Sequence, residues 1–270
     1  MSEAHAPLND KNTRHSILRM FRDAADEDFL FARIAARRAM HHQFAWSSQQ
    51  AIEKYLKTVV LINGGQIDTK HTGLVDLYDK CLEIAGNLLP LVLCPPAKEN
   101  FCHNSTRSPY FETTSSYLTR VENAGSAHNR YRSFSVEVYF CDLHKLDQLV
   151  FFLRRISRPL DLQLDEFGST VRDHLNLHRD IQLDPAMAFE NPMRGHNNEV
   201  TSIDFHWNNW SFSSPQEDTE AERVPNGAAI NSQIFLLLES KRFGTLKWLA
   251  ERSFPKAIRK EVLSEIAKHS

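Results

Sequence analysis

HQFAWSSQQAIEKYLKTVVLIN, residues 42–63, decides the fold. Phe44, Ser48, Ala51, Tyr55, Val59 and Ile62 are apolar or small and recur at i, i+3, i+4 and i+7, with Ala45, Ile52 and Leu56 beside them. That period buries one broad face of a helix. Gln43, Gln50, Lys54 and Lys57 fall on the opposite side. Gly64-Gly65 stops the helix, because glycine takes the left-handed conformation of a C-terminal cap without steric cost. At about 1.5 Å per residue the stretch makes a rod roughly 30 Å long, enough for the centre of a small bundle.

On the N-terminal side, residues 1–15 read as a flexible tail. A helix is expected from Ser16, with Leu18, Phe21, Ala25, Phe29, Ala32, Ala36 and Ala39 along one stripe. Its acidic residues (Asp23, Asp26, Glu27, Asp28) precede its basic ones (Arg33, Arg37, Arg38), an order that suits the helix dipole. His41-His42 marks a short connection, so this helix and the rod form an antiparallel pair.

On the C-terminal side, Leu74, Leu77, Cys81 and Ile84 keep helical spacing over 71–86, with Thr69 or Thr72 as the cap. Pro90 and Pro95-Pro96 interrupt the pattern. A shorter helix is expected over 111–124, ended by Gly125. Residues 136–140 either open the next helix or form a short extended piece. Asp142 then caps a helix whose Leu143, Leu146, Val150, Leu153 and Ile156 face inward. Arg154, Arg155 and Arg158 crowd its C-terminus, where cations complement the dipole, and Pro159 ends it. The texture changes beyond Leu160. One short helix is expected around 165–179, a β-hairpin over 200–214 and an acidic linker over 215–227. A helical cluster over 229–268 follows, with stops or caps at Gly244, Thr245 and Pro255. The fold class is therefore mainly α: an antiparallel helical bundle over 16–160 and a C-terminal unit over 161–270.

The chain has 270 residues and a formal net charge of −2, so affinity for nucleic acid must come from a local patch. Cys81, Cys94, Cys102 and Cys141 form no C-x-x-C pair, the pattern of free thiols in a reducing compartment. The first residues lack the charged-then-apolar order of a signal peptide, and no apolar run reaches the ~18–20 residues of a membrane span. A cytoplasmic location without membrane contact is expected.

Four segments carry a family resemblance. FRDAADEDFLFARIAARR, SSQQAIEKYLKTVVLINGG, KHTGLVDLYDKC and the Arg130-Tyr131 pair resemble, in order, the opening helix, the second helix, the third helix start and the Arg-Tyr element of HEPN domains, the higher eukaryotes and prokaryotes nucleotide-binding family. The resemblance covers residues ~14–160 and leaves 161–270 unaccounted for. It implies a helical bundle that pairs with a second copy as a homodimer. It also implies a toxin–antitoxin or defence setting, with a nucleotide, an RNA or a nucleotidyltransferase-type protein as partner. Catalytic members are metal-independent ribonucleases.

Those members carry an Arg-x4–6-His pair near the last core helix. Histidine moves protons near neutral pH, and arginine holds the scissile phosphate. Here Arg130 and Arg132 are followed by no histidine until His144, which is too far. Arg37-x4-His42 and Arg172-x5-His178 have the spacing but lie elsewhere. His128 is the remaining histidine beside Arg130, and Arg120-x7-His128 is only slightly long. His128 and Arg130 are thus the catalytic candidates. Arg130, Tyr131 and Arg132 are the nucleotide- or anion-binding candidates, with guanidinium groups for phosphate and a ring for base stacking. Arg154, Arg155 and Arg158 either extend that patch or only complement the helix dipole. His174 and His178 have i, i+4 spacing but no third metal ligand, so neither metal nor cofactor is expected. The expected function is a non-catalytic HEPN-type interaction module. A metal-independent endoribonuclease with an atypically placed histidine is the alternative.

Overall fold

The computed structural model describes residues 10–67, 73–94, 111–126, 129, 136–139, 141–177, 209, 211, 227–229, 233–254 and 256–269. The central rod, α3 (His41–Ile62), buries every residue on the expected face, from Phe44 to Ile62. Gly64 takes φ 81°, and the Gly65 amide donates to the Val60 carbonyl at 2.9 Å, closing the C-terminal cap.

The preceding helix starts earlier than its apolar stripe suggests. Asp10 is its N-cap, accepting from the Asn12 and Thr13 amides, and α1 (Lys11–Ile17) runs on through a π-helical turn, Leu18–Arg22, into α2 (Asp23–Arg37). So residues 11–15 are helical rather than tail. Ala39 leaves the stripe altogether: it is exposed, at φ 52°, in the three-residue turn to α3. Bonds from Tyr55 to Asp26 and from Lys54 to Asp28 fix α2 and α3 as an antiparallel pair.

The remaining core helices pack round α3. In α4 (Leu74–Ala85), Leu74, Leu77, Tyr78, Cys81 and Ala85 are buried. Its N-cap is Gly73, and the Leu74 amide donates to the Glu122 carboxylate at 3.2 Å, so the charge at its start comes from another helix. Thr69 and Thr72 lie outside the described residues. β1 (Val92–Leu93) pairs with β2 (Glu112–Thr113), and Thr113 caps α5 (Thr114–Ala124) through the Ser116 amide. Gly125 ends α5 against α3, where a Cβ would lie 2.6 Å from the Ala45 carbonyl oxygen and 2.7 Å from Gln49 Cβ. Only glycine permits that approach.

Residues 136–138 are extended: β3 (Val136–Val138) pairs antiparallel with β4 (Gly227–Ala229). β4 overlaps the stretch read from sequence as the end of the linker and the start of the helical cluster. Cys141 is the N-cap of α6 (Asp142–Arg155); Asp142 is its first residue, and its carboxylate accepts from the Tyr139 amide at 2.8 Å. Asn63, 7% exposed, then joins the far ends of α3 and α6. Its amide donates to the Val59 and Arg158 carbonyls and its oxygen accepts from the Leu160 amide at 2.8 Å. α7 (Val171–Leu177) adds Val171 and Leu175 to the same core.

A second, separate core holds Ile234, Leu246, Ala250, Val262 and Ile266, from α8 (Gln233–Glu239), α9 (Phe243–Ser253) and α10 (Lys256–His269). α8 stops before Lys241, which takes φ 55°, and Gly244 sits inside α9 instead of ending α8. Arg242, not Thr245, is the N-cap of α9. Of the expected hairpin at 200–214, only Asn209 and Ser211 are among the described residues. The fold is mainly α, as the periodicity predicts.

Candidate ligand site beside Arg120

His128, Arg130, Tyr131 and Arg132 lie outside the described residues. Asn129, between them in sequence, is buried; its side chain donates to the Ala124 carbonyl at 3.1 Å and its amide to the Ser126 carbonyl at 2.8 Å. Asn129 and Val136, which flank residues 130–135, line a cleft of about 600 Å³ with Ser116, Thr119, Arg120, Asn123 and Glu137.

Arg120 is the centre of that cleft. Its two terminal nitrogens grip Asp142 at 2.7 and 2.8 Å, a bidentate fork, and two of its nitrogens meet Glu112 at 2.9 and 3.3 Å. The guanidinium also lies 4.9 Å from the Tyr139 ring centroid and 5.4 Å from that of Tyr117. Lys145, buried in α6, closes the cluster on Glu112. Burial pushes the Glu112 carboxyl up, but hydrogen bonds from Arg120 and Lys145 outweigh it and hold the group below its ordinary value. Burial would lower Arg120, yet Asp142 and then Glu112 raise it. Burial, followed by the Asp142 charge, raises Tyr117. Two cations face two carboxylates, so the cluster is balanced, and Arg120 is committed to structure rather than left for a phosphate. Ser116, Thr119, Asn123 and Asn129 give the cleft a lining suited to hydrogen bonding, and Glu137 adds one carboxylate.

The other histidine readings resolve individually. His144 is buried, its Nε2–H donates to the Cys94 carbonyl at 3.0 Å, and burial pushes its pKa down to about 4. Arg172 donates to Asp161 at 2.9 Å and to the Ile84 carbonyl at 2.8 Å; its spacing partner His178 lies outside the described residues. Arg37 and His42 fall on either side of the α2–α3 turn. No group of three or more potential metal ligands occurs among the described residues.

At the basic end of α6, Arg154 and Arg155 do more than complement the helix dipole. Arg154 and Arg155 are buried; Arg154 donates to both Asp26 oxygens at 2.8 and 3.0 Å, and Arg155 donates to the Leu175 carbonyl at 3.1 Å. Burial lowers Arg155 to about 10, with Arg158 adding to the effect. Seven residues away on each helix a second buried pair joins Arg33 to Asp147. A signal for both pairs is visible in retrospect. Asp26, Phe29, Arg33 and Ala36 share one stripe of α2, and Leu143, Asp147, Val150 and Arg154 share one stripe of α6. Charges placed inside an apolar stripe announce buried partners.

No protein-family model, no curated protein and no solved structure matches this chain.

Proposed function

We propose that this chain is a HEPN-type interaction module that binds a partner without cleaving it, with RNA or a nucleotide engaged by Arg130, Tyr131 and Arg132. One observation carries the preference for binding over catalysis. His144, the first histidine after Arg130 in sequence, is enclosed, held by a carbonyl and neutral down to about pH 4. A group in that state does not shuttle protons at neutral pH. The neighbouring cleft supports the same reading, since Arg120 is already held by two carboxylates.

The partner is a second copy of the chain, a nucleotidyltransferase-type protein, or both, in a toxin–antitoxin or defence setting. Phe31 and Ile34, 46% and 49% exposed within one turn of α2, give an apolar surface on which a homodimer can close. The test is an RNA-binding titration at two salt concentrations. Arg130→Ala should weaken binding about ten- to a hundredfold, the value of one guanidinium–phosphate contact, and flatten the salt dependence. Unchanged binding by a folded Arg130→Ala variant would remove the site from this loop.

A further inference from the structure

A second cleft lies at the opposite end of α6 from Asp142, where the N-terminal helix crosses the turn after Arg155. Its volume is about 450 Å³, within the range of small-molecule sites. Lys11, Arg14, His15 and Arg22 line one wall, Arg154 and Arg158 the other, and no aspartate or glutamate is among the described lining residues. Asp23 meets Arg22 and Asp26 meets Arg154. Lys11, Arg14 and His15 form no salt bridge among the described residues. Asp10, the acid whose charge Arg14 feels, is already occupied by the Asn12 and Thr13 amides. In a chain of net charge −2 this is a concentrated positive pocket.

Two features show that the pocket is built into the fold. The π-helical turn Leu18–Arg22, a geometry found mostly as single turns at functional sites, supplies Leu18 and Arg22 to the wall. Asn63, buried between α3 and α6, fixes the turn that carries Arg158 and the buried Pro159. Beneath the cations the floor is aliphatic, from Ile62, Pro159 and Val171 among others, with no aromatic ring among the described lining residues.

We infer that this cleft binds a soluble organic phosphate of mononucleotide size, its phosphates on Arg14, Lys11 and Arg158 and its less polar part on the aliphatic floor. Guanidinium groups recognise phosphate through charge-assisted, bidentate hydrogen bonds, and no carboxylate among the described lining residues repels an incoming anion. The site shares no lining residue with the Arg120 cleft and does not rest on the RNA reading.

The test is calorimetric titration of the full chain with ATP and, separately, with inorganic tripolyphosphate. ATP should bind more tightly than tripolyphosphate, because only ATP has a body to cover the floor. The Arg14→Ala/Arg158→Ala double variant should lose on the order of a hundredfold or more in ATP affinity, each contact being worth about tenfold or more. Lys260→Ala, an exposed cation of α10, should leave the titration unchanged. A double variant that keeps its folded circular dichroism and binds ATP like the parent would overturn the site. So would a parent that shows no heat with millimolar ATP. Phospholipid headgroups offer the same phosphate chemistry, so vesicles of phosphatidylglycerol provide the second arm. A chain that stays in the supernatant supports the soluble ligand, whereas co-sedimentation that millimolar ATP cannot release contradicts it.

Discussion

Reversing Asp26 and Arg154 tests what sets the register of α2 against α6. On α2 the order is Asp26 then Arg33, and on α6 it is Asp147 then Arg154, each pair seven residues apart. Antiparallel packing puts opposite charges together at both points. Parallel packing would instead place Asp26 by Asp147 and Arg33 by Arg154. All four groups are at most 4% exposed, so an unpaired charge here has little access to water. Asp26→Ala removes the carboxylate partner of the Arg154 guanidinium and the acceptor of the Tyr55 hydroxyl. Breaking a buried pair from one side costs about 3–5 kcal/mol. The Tyr55 bond is part of the same network, so its loss is not simply added. Against a total stability of roughly 5–15 kcal/mol, that removes about a fifth or more. The reciprocal variant, Asp26→Arg with Arg154→Asp, restores the attraction and should recover most of the loss, short of about 1–3 kcal/mol for the displaced Tyr55 bond. Urea denaturation followed by far-UV circular dichroism measures all of these. A reciprocal variant no more stable than Asp26→Arg alone would refute the charge-register reasoning.

Four further outcomes are expected. His144 is neutral in the fold to about pH 4 but titrates near 6.5 when unfolded, so the unfolded chain binds the extra proton between those values. Stability should therefore be full above about pH 6.5 and fall by up to about 3 kcal/mol as pH drops towards 4, a slope that His144→Gln should flatten in pH-dependent denaturation. Ala39→Gly should raise stability by about 1 kcal/mol in the same denaturation, because it relieves a left-handed alanine in an exposed turn. Gly125→Ala forces a Cβ onto the Ala45 carbonyl and Gln49 and should cost about 1–3 kcal/mol, read as a lowered melting temperature. Phe31→Glu should shift sedimentation from dimer to monomer at unchanged helicity; a parent chain that is monomeric throughout would remove the dimer.

Periodicity carried most of the bundle because burial in a helix is written in spacing. Every residue assigned to the inner face of α3 is buried, and the Gly64-Gly65 and Gly125 stops act where the pattern ends. The charge assignments failed for one reason: a linear reading assigns charges to solvent or to the helix dipole, while the fold pairs them across distant segments. Asp26 and Arg154 are 128 residues apart, Arg33 and Asp147 114, and the Glu122 carboxylate that meets the start of α4 is 48 residues from Leu74. The same limit hid the basic cleft. Lys11, Arg14 and Arg22 lie in a segment partly read as tail, and only the fold brings them to Arg158. The Arg130-Tyr131 pair was legible as a motif, but the candidate residues around it lie outside the described part of the structure.

The most direct measurement of the functional claim is the fate of labelled RNA incubated with the purified chain in EDTA at neutral pH. The expected result is RNA that is bound yet remains full length, with Arg130→Ala reducing the bound fraction and His128→Ala leaving it largely unchanged. Cleavage products that accumulate with time and vanish in His128→Ala, while binding persists, would contradict the account and identify the chain as a metal-independent ribonuclease.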